Sequence, residues 1–212
     1  MTISLRTSLS VLLLLAYACF VWLMVAISWQ YLTLEPDVAF LRIKQEVVGL
    51  PYYLPAFFVH AFSSVLVLSA GFTQFSPVLR RRQPGLHRAI GRLYLAVVLL
   101  LAAPSGLVLA WHANGGWSSR FAFGLLGLLW FIFTGQAWWY ARRRRWSAHR
   151  DFMIRSFALA MAAISLRAWK YVLVALFHPR PMDVYRTVAW LSWVLNLLIA
   201  EIIIFKLNQR KT

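Results

Sequence analysis

Residues 74–88 read QFSPVLRRRQPGLHR, and residues 136–150 read QAWWYARRRRWSAHR. The second stretch repeats the first 62 positions later without a gap. Gln74 corresponds to Gln136, Arg80-Arg81-Arg82 to Arg142-Arg143-Arg144, and His87-Arg88 to His149-Arg150. An apolar run of helical length leads into each copy, and another leads out. The pattern predicts a duplicated hairpin of helix, basic loop and helix.

Composition fixes the solvent in which those helices sit. The 212 residues are 61% hydrophobic, with a mean hydropathy of +0.67. That is too apolar for a soluble domain and marks a membrane protein. Six segments are long enough to cross about 30 Å of hydrocarbon: 9–29, 52–76, 89–111, 121–140, 152–177 and 184–205. Lipid offers the backbone no hydrogen bonds, so the segments are helices rather than open strands. The expected fold is all-α: one integral membrane domain over 1–212, a six-helix bundle whose core is two hairpins, helices 2–3 and 4–5. At the N-terminus, Arg6, an apolar run and Ala16-Tyr17-Ala18-Cys19 suggest a cleaved signal. The run continues through Ile27, past the ~7–15 residues of a signal core, so an uncleaved first span is expected. Cys19 is the single cysteine, which excludes an internal disulfide and a cysteine metal cluster.

The net charge of +16 reads as topology rather than nucleic-acid binding. Arg6, the two basic loops with their flanks, and the Lys206/Arg210/Lys211 tail hold fifteen of the 22 basic residues, all on one side. The opposite side holds Arg42, Lys44, Arg120, Arg180 and Arg186, diluted by Glu35, Asp37, Glu46 and Asp183. Positive loops stay inside, so both termini and both copies of the repeat are expected in the cytoplasm. The external loop 33–50 has Phe40, Ile43, Val47 and Leu50 at helical spacing. Two readings are open: an amphipathic helix on the outer surface, or an ordered cap on the bundle. Pro104-Ser105-Gly106 predicts a kink in the third span, and Gly124 and Gly127 predict close helix contact in the fourth.

Polar residues inside a span must face protein or water. At 100° per residue, His60, Ser64, Gly71 and Gln74 share one face of the second span. His87, Tyr94, Ser105 and His112 share a face of the third, and His149, Ser156, Ala160, Ala163 and Arg167 a face of the fifth. Ser192 and Asn196 belong to the sixth. These stripes converge on a common interior with two layers. Gln74, Gln136, His87, His149, Arg88 and Arg150 mark the cytoplasmic layer. His60, roughly 12 Å below the start of its helix, Arg167 and Asn196 mark the outer one, with His112 at the rim.

Chemistry follows from those layers. His87 and His149, facing each other on bundle helices, are candidate axial ligands of haem b. Arg88 and Arg150 would neutralise its propionates. His60 with His112 is a candidate outer pair, which would give an electron path across the membrane. Arg167 costs about 2.5–3.5 kcal/mol at a helix centre and has no carboxylate at its depth. An anionic group from outside the chain is a candidate partner: a propionate, a lipid phosphate or a quinone carbonyl. Outward snorkelling or a bond to helix-end carbonyls is the structural alternative. Glu201 is expected to pair with Arg155 or Lys206, and Asp151 with a neighbouring Arg. No nucleophile elbow, phosphate loop, zinc-protease motif or dinucleotide fingerprint occurs, so no catalytic residue is assigned. Two functions compete. One is a haem- or quinone-linked transmembrane redox protein. The other is a non-enzymatic membrane protein that binds a lipid or small amphiphile, or serves as an assembly or transport component.

His60, Gly71 to Gln74, His87-Arg88-x-x-Gly91-Arg92-x-Tyr94, Ser105-Gly106, Trp130, His149-Arg150-x-x-Met153-Ile154-Arg155-Ser156 and Arg167 together resemble a family of bacterial membrane proteins known as domain of unknown function 2306. The resemblance covers about Tyr52 to Lys170 and implies a multi-pass membrane protein without implying an activity. Phe152 stands where that family leads one to expect Trp. In topology the chain is also similar to cytochrome b561-type proteins, but no histidine falls in the fourth span.

Overall fold

The computed structural model describes residues 5–209. The Arg6 side chain, Arg210 and Lys211, which enter the charge argument, lie outside what is described. Among the described residues there are helices and turns and no strand. In chain order the helices are α1 (Leu5–Trp29), α2 (Tyr53–Gln74), α3 (Pro77–Arg82), α4 (Pro84–Val97), α5 (Ala103–Trp111), α6 (Trp117–Arg142), α7 (Trp146–Ala160), α8 (Ala162–Phe177) and α9 (Pro181–Gln209). Five stretches are long and apolar enough to cross a membrane: Ser8–Thr33, Tyr53–Gln74, Pro84–Trp111, Trp117–Arg142 and Pro181–Gln209. The pair α7 and α8, bent by 43°, makes a sixth if it is counted as one span.

The surface of these helices is that of a protein solvated by lipid. Leu12, Leu15, Trp22, Leu100, Leu198, Ile199 and Ile202 are all more than half exposed. Beside buried Val67, Leu68, Val98 and Leu159, the interior holds many small and polar side chains: Ala102, Ala103, Ala122, Ala137, Ser119, Thr134, Ser156 and Ser192 are essentially sealed from solvent. Without a hydrophobic driving force between helices, close approach and interhelical hydrogen bonds hold the bundle together. Gly71 illustrates the first: a Cβ there would collide with the Phe157 ring and the Tyr17 hydroxyl. Gly127 likewise lets Leu107 of α5 rest on α6, whereas Gly124 has nothing near it, so only one of the two expected glycine contacts forms.

Hydrogen bonds sort the loops into two ends. At one end the Lys44 ammonium donates to the His112 carbonyl and to Asn114 Oδ1, and Arg186 Nε donates to the Gly115 carbonyl at 3.0 Å. At the other, Arg150 Nη2 donates to Asn208 Oδ1 at 2.5 Å, and Gln74 Nε2 to the His87 carbonyl at 3.2 Å. The described chain ends share this second end. There Arg80 to Arg82 and Arg142 to Arg145 are exposed, and Arg143 lies 3.9 Å over the Trp139 ring.

The loop 33–50 is an ordered cap. Leu41 is fully buried with Tyr31, Tyr53 and Phe57, and Phe40 stacks on Phe57 at 6.1 Å. Its short 3-10 turn, Ala39–Ile43, folds Phe40 and Leu41 onto α2, and Val47 and Leu50 pack with them, whereas Ile43 stays exposed.

Two helices are irregular, and the irregularities are one repeat apart. Pro104 brings no N–H to the third span and its ring crowds the carbonyl four residues back. The backbone immediately before α5 widens into a π turn over Val98–Ala102. Adding 62 to those limits gives 160–164, and α7 breaks from α8 at Met161. No proline causes the second break. Asn196 of α9 reaches in instead, its Nδ2 donating to the Ala158 carbonyl at 3.1 Å.

Candidate functional site

The centre of the bundle is a short chain of hydroxyls. Tyr94 Oη and Ser156 Oγ are 2.7 Å apart, and Ser156 Oγ is 2.7 Å from Thr134 Oγ1. Thr134 in turn donates to the Trp130 carbonyl at 2.7 Å. Tyr94 and Ser156 are separated by 62 residues. That separation equals the 62-residue offset between the two similar stretches, so residues one offset apart meet between α4 and α7. Thr134 escaped the sequence reading, although a polar residue in an apolar span was itself the signal.

Two turns below that contact lie His87 and His149, again 62 apart. The His87 ring has a buried Nδ1 with no hydrogen-bond partner, and His149 is one of its electrostatic neighbours. His149 is oriented differently: its Nδ1 is 2.8 Å from the Ala137 carbonyl. A carbonyl only accepts, so Nδ1 carries a proton, and in the neutral tautomer this leaves the lone pair on Nε2. Gln74 anchors this layer through the His87 carbonyl, with its Oε1 pressed on Gly91. Gln136 does not repeat that role, because its side chain is exposed. Arg88 is exposed too. Arg150 makes 2.8 and 2.6 Å bonds to Asp151 Oδ1, which confirms the expected Asp151 partner and draws this guanidinium toward Asn208. Glu201 takes Arg155 rather than Lys206, in a two-pronged pair at 2.6 and 2.8 Å.

The outer layer wraps the two helix irregularities. His60 Nδ1 lies 2.9 Å from the Ala102 carbonyl at the end of the π turn, so this ring also keeps its lone pair on Nε2. Gly106 makes room for it, since a Cβ there would sit 2.9 Å from His60 Cε1. Ser105 Oγ donates to the Leu101 carbonyl at 2.5 Å. Around the second break, Ser165 Oγ donates to Asn196 Oδ1 at 2.9 Å, and Arg167 Nη1 donates to the Ala163 carbonyl at 2.8 Å. Arg167 thus has the backbone partner foreseen as its structural alternative. No carboxylate pairs with it among the described residues. Arg167 is also an electrostatic neighbour of His60. Lys170 is exposed.

His112 stands apart from His60. Its Nε2 is 3.2 Å from the Tyr52 hydroxyl, and its carbonyl receives Lys44. Ten residues of helix, about 15 Å, separate it from the Ala102 carbonyl that holds His60. One iron cannot join the two rings, so the expected outer pair does not form.

Residues 57–204 match the family model described as predicted membrane protein (DUF2306). The chain belongs to this family. The match extends the resemblance from the repeat into α9, and the description names a membrane protein and no activity. No curated protein and no solved structure gives a significant match. As a family member with several candidate spans, the chain is a multi-pass protein of the lipid bilayer.

Proposed function

We propose that this family member is a transmembrane redox protein holding haem b at the end of the bundle where the basic loops gather, between His87 and His149. The observation that carries the reading is the pair of rings on α4 and α7. One has an orphaned, buried nitrogen, and the other is oriented by a main-chain carbonyl that leaves Nε2 free to coordinate. Haem supplies one-electron transfer. The chain's own residues do the rest. Ala137 fixes the His149 tautomer, Arg88 is available to a propionate, and Arg150 can be drawn off Asp151 for the same purpose. The Tyr94–Ser156–Thr134 hydroxyls cap the site toward the membrane centre. His60, whose Nε2 is left free in the same way beside Arg167, is the candidate ligand or quinone contact on the opposite side.

The architecture behind this proposal is a six-span domain over 1–212 in the inner membrane of a bacterium. Its termini are cytoplasmic, and its core is the duplicated hairpin α2–α5 and α6–α8 about an axis near Tyr94 and Ser156. The exposed arginines at one end and the matched helix irregularities support it.

A second reading, a protein that binds a lipid or small amphiphile, rests on an apolar cleft of about 260 Å³ between α2 and α4, lined by Leu66, Val67, Leu93 and Tyr94. The reduced-minus-oxidised spectrum of protein expressed with ample haem and purified in mild detergent separates the two. A Soret band and α-band lost in His87→Ala and His149→Ala are expected. Bands that survive both substitutions overturn the ligand assignment. Absence of bands, with an amphiphile retained in native mass spectrometry, replaces the first reading by the second.

A further inference from the structure

A cleft of about 490 Å³ opens at the end of the molecule opposite the described chain ends, away from the histidine layer. Its walls come from the cap, from the turn after α5 and from the start of α6. Lys44 lines it and is only 2% exposed. A buried ammonium is costly unless satisfied, and here two of its three donors reach the His112 carbonyl and Asn114 Oδ1. The nearest carboxylate, Glu46 Oε1, is 3.7 Å away on a side chain 64% exposed. Arg120 lines the same cleft, and its buried Nε has no partner. Ser119, fully buried, holds an unpartnered Oγ against Gly115, another lining residue.

The backbone adds to this field. Gly115 and Gly116 take φ of +83° and +76°, which turns the chain sharply into α6. Gly116 provides no side-chain cap, so the first N–H groups of a 26-residue helix face this region uncapped. Burial pushes the Lys44 ammonium below the ordinary lysine range, against a smaller opposite pull from Glu46. An incoming negative charge would relieve that strain on the charged form.

We infer that this cleft binds the oxyanion of a phosphate or carboxylate group, held by Lys44, Arg120 and the start of α6. Ile43, Val47 and Met182 give the cleft an apolar wall. Trp111 and Trp117, edge to face at 6.3 Å and largely exposed, put it at the level of the lipid headgroups. The oxyanion therefore has two sources, an anionic headgroup or a free solute. The site uses none of the residues given to haem and stands or falls separately.

Trp117 is a built-in reporter, because the Arg120 guanidinium lies 5.6 Å over its ring. Full-length protein in a neutral detergent is titrated with inorganic phosphate and with acetate, using chloride at matched ionic strength as control. It is then placed in nanodiscs of phosphatidylcholine with or without one-fifth phosphatidylglycerol. A saturable change in tryptophan emission is expected, at least tenfold weaker in Arg120→Gln, partly recovered in Arg120→Lys and a few-fold tighter in Glu46→Gln. Response to free anions assigns a solute; response to phosphatidylglycerol alone assigns a headgroup. Either supports the site. No saturable response to any probe, a response equal in chloride, or one unchanged by Arg120→Gln in protein that remains monodisperse overturns it.

Discussion

At the scale of single residues, the interior is governed by which polar atoms have partners. Ser156 is the shared node of the central hydroxyl chain, fully buried between Tyr94 and Thr134. Ser156→Ala removes the Ser156 partner of the Tyr94 hydroxyl, while Thr134 keeps the Trp130 carbonyl. A loss of about 1 kcal/mol is expected, within the range of interhelical hydrogen bonds in membranes. Most of it should vanish when Tyr94→Phe is already present, as thermal unfolding in detergent over the four-member cycle would show. Equal losses in both backgrounds would mean that the pair contributes nothing as a pair. Tyr94 and Ser156 were legible in the sequence as members of polar stripes, because a span tolerates a hydroxyl only where protein receives it. Arg167 was legible as an anomaly, but its partner was not. Any of several carbonyls would have served, and the choice depends on where the backbone breaks. Gln136 was read as the twin of Gln74, yet it is exposed while Gln74 reaches the His87 carbonyl. Sequence identity between copies does not carry identity of environment.

At the scale of elements, the two irregular helices have different causes and the same address. Pro104 announces a distortion of the third span from the sequence, read there as a kink and found as a π turn, because its missing N–H and its ring act locally. The Met161 break has no local cause. It follows from Asn196, which arrives from α9, 31 residues beyond the Ser165 it also engages. Only the folded chain brings these together. Pro104→Ala restores an N–H and removes the ring. The expected outcome is a regular helix through Val98–Ala102, with the Ala102 carbonyl turned away from His60. Nitrogen-15 chemical shifts of His60 are the measurement: wild type should show the Nδ1–H tautomer, and the variant should lose that preference. An unchanged tautomer would mean that the turn does not depend on proline. The helix ends are also longer than hydropathy implied: α4 starts at Pro84 and α6 runs to Arg142. Basic and aromatic flanks continue each helix beyond its apolar run.

At the scale of the whole molecule, charge and fold agree on which ends belong together. The loops joined by Lys44 and Arg186 form one end, and the exposed arginines with Asn208 form the other. Alkaline phosphatase fused after Asn114 should be active in a bacterial host and fused after Arg145 inactive. A fluorescent protein at the same two positions should give the opposite pattern. Activity at both positions, or reversed activity, would contradict six alternating spans with cytoplasmic termini. Bilayer residence was written plainly in the composition, since hydrocarbon imposes length and apolarity on every crossing, and the six apolar segments meet five candidate spans and one bent helix pair. The cleft at the cap end was not legible: Lys44 looked like one more loop lysine, and its burial comes with the cap that folds onto α2.

The contact between Tyr94 and Ser156 has a consequence for ancestry. Under the proposed duplication, a side chain on the axis meets its own counterpart. Two separate hairpins of one sequence would have had to place tyrosine against tyrosine, or serine against serine, at the crowded centre. A large ring facing a small hydroxyl is open to copies that are free to diverge. Under that proposal the centre of the bundle is a place where the two copies gain from being unlike, and Ser156→Tyr or Tyr94→Ser would put back a sameness that the buried 2.7 Å contact does not accommodate.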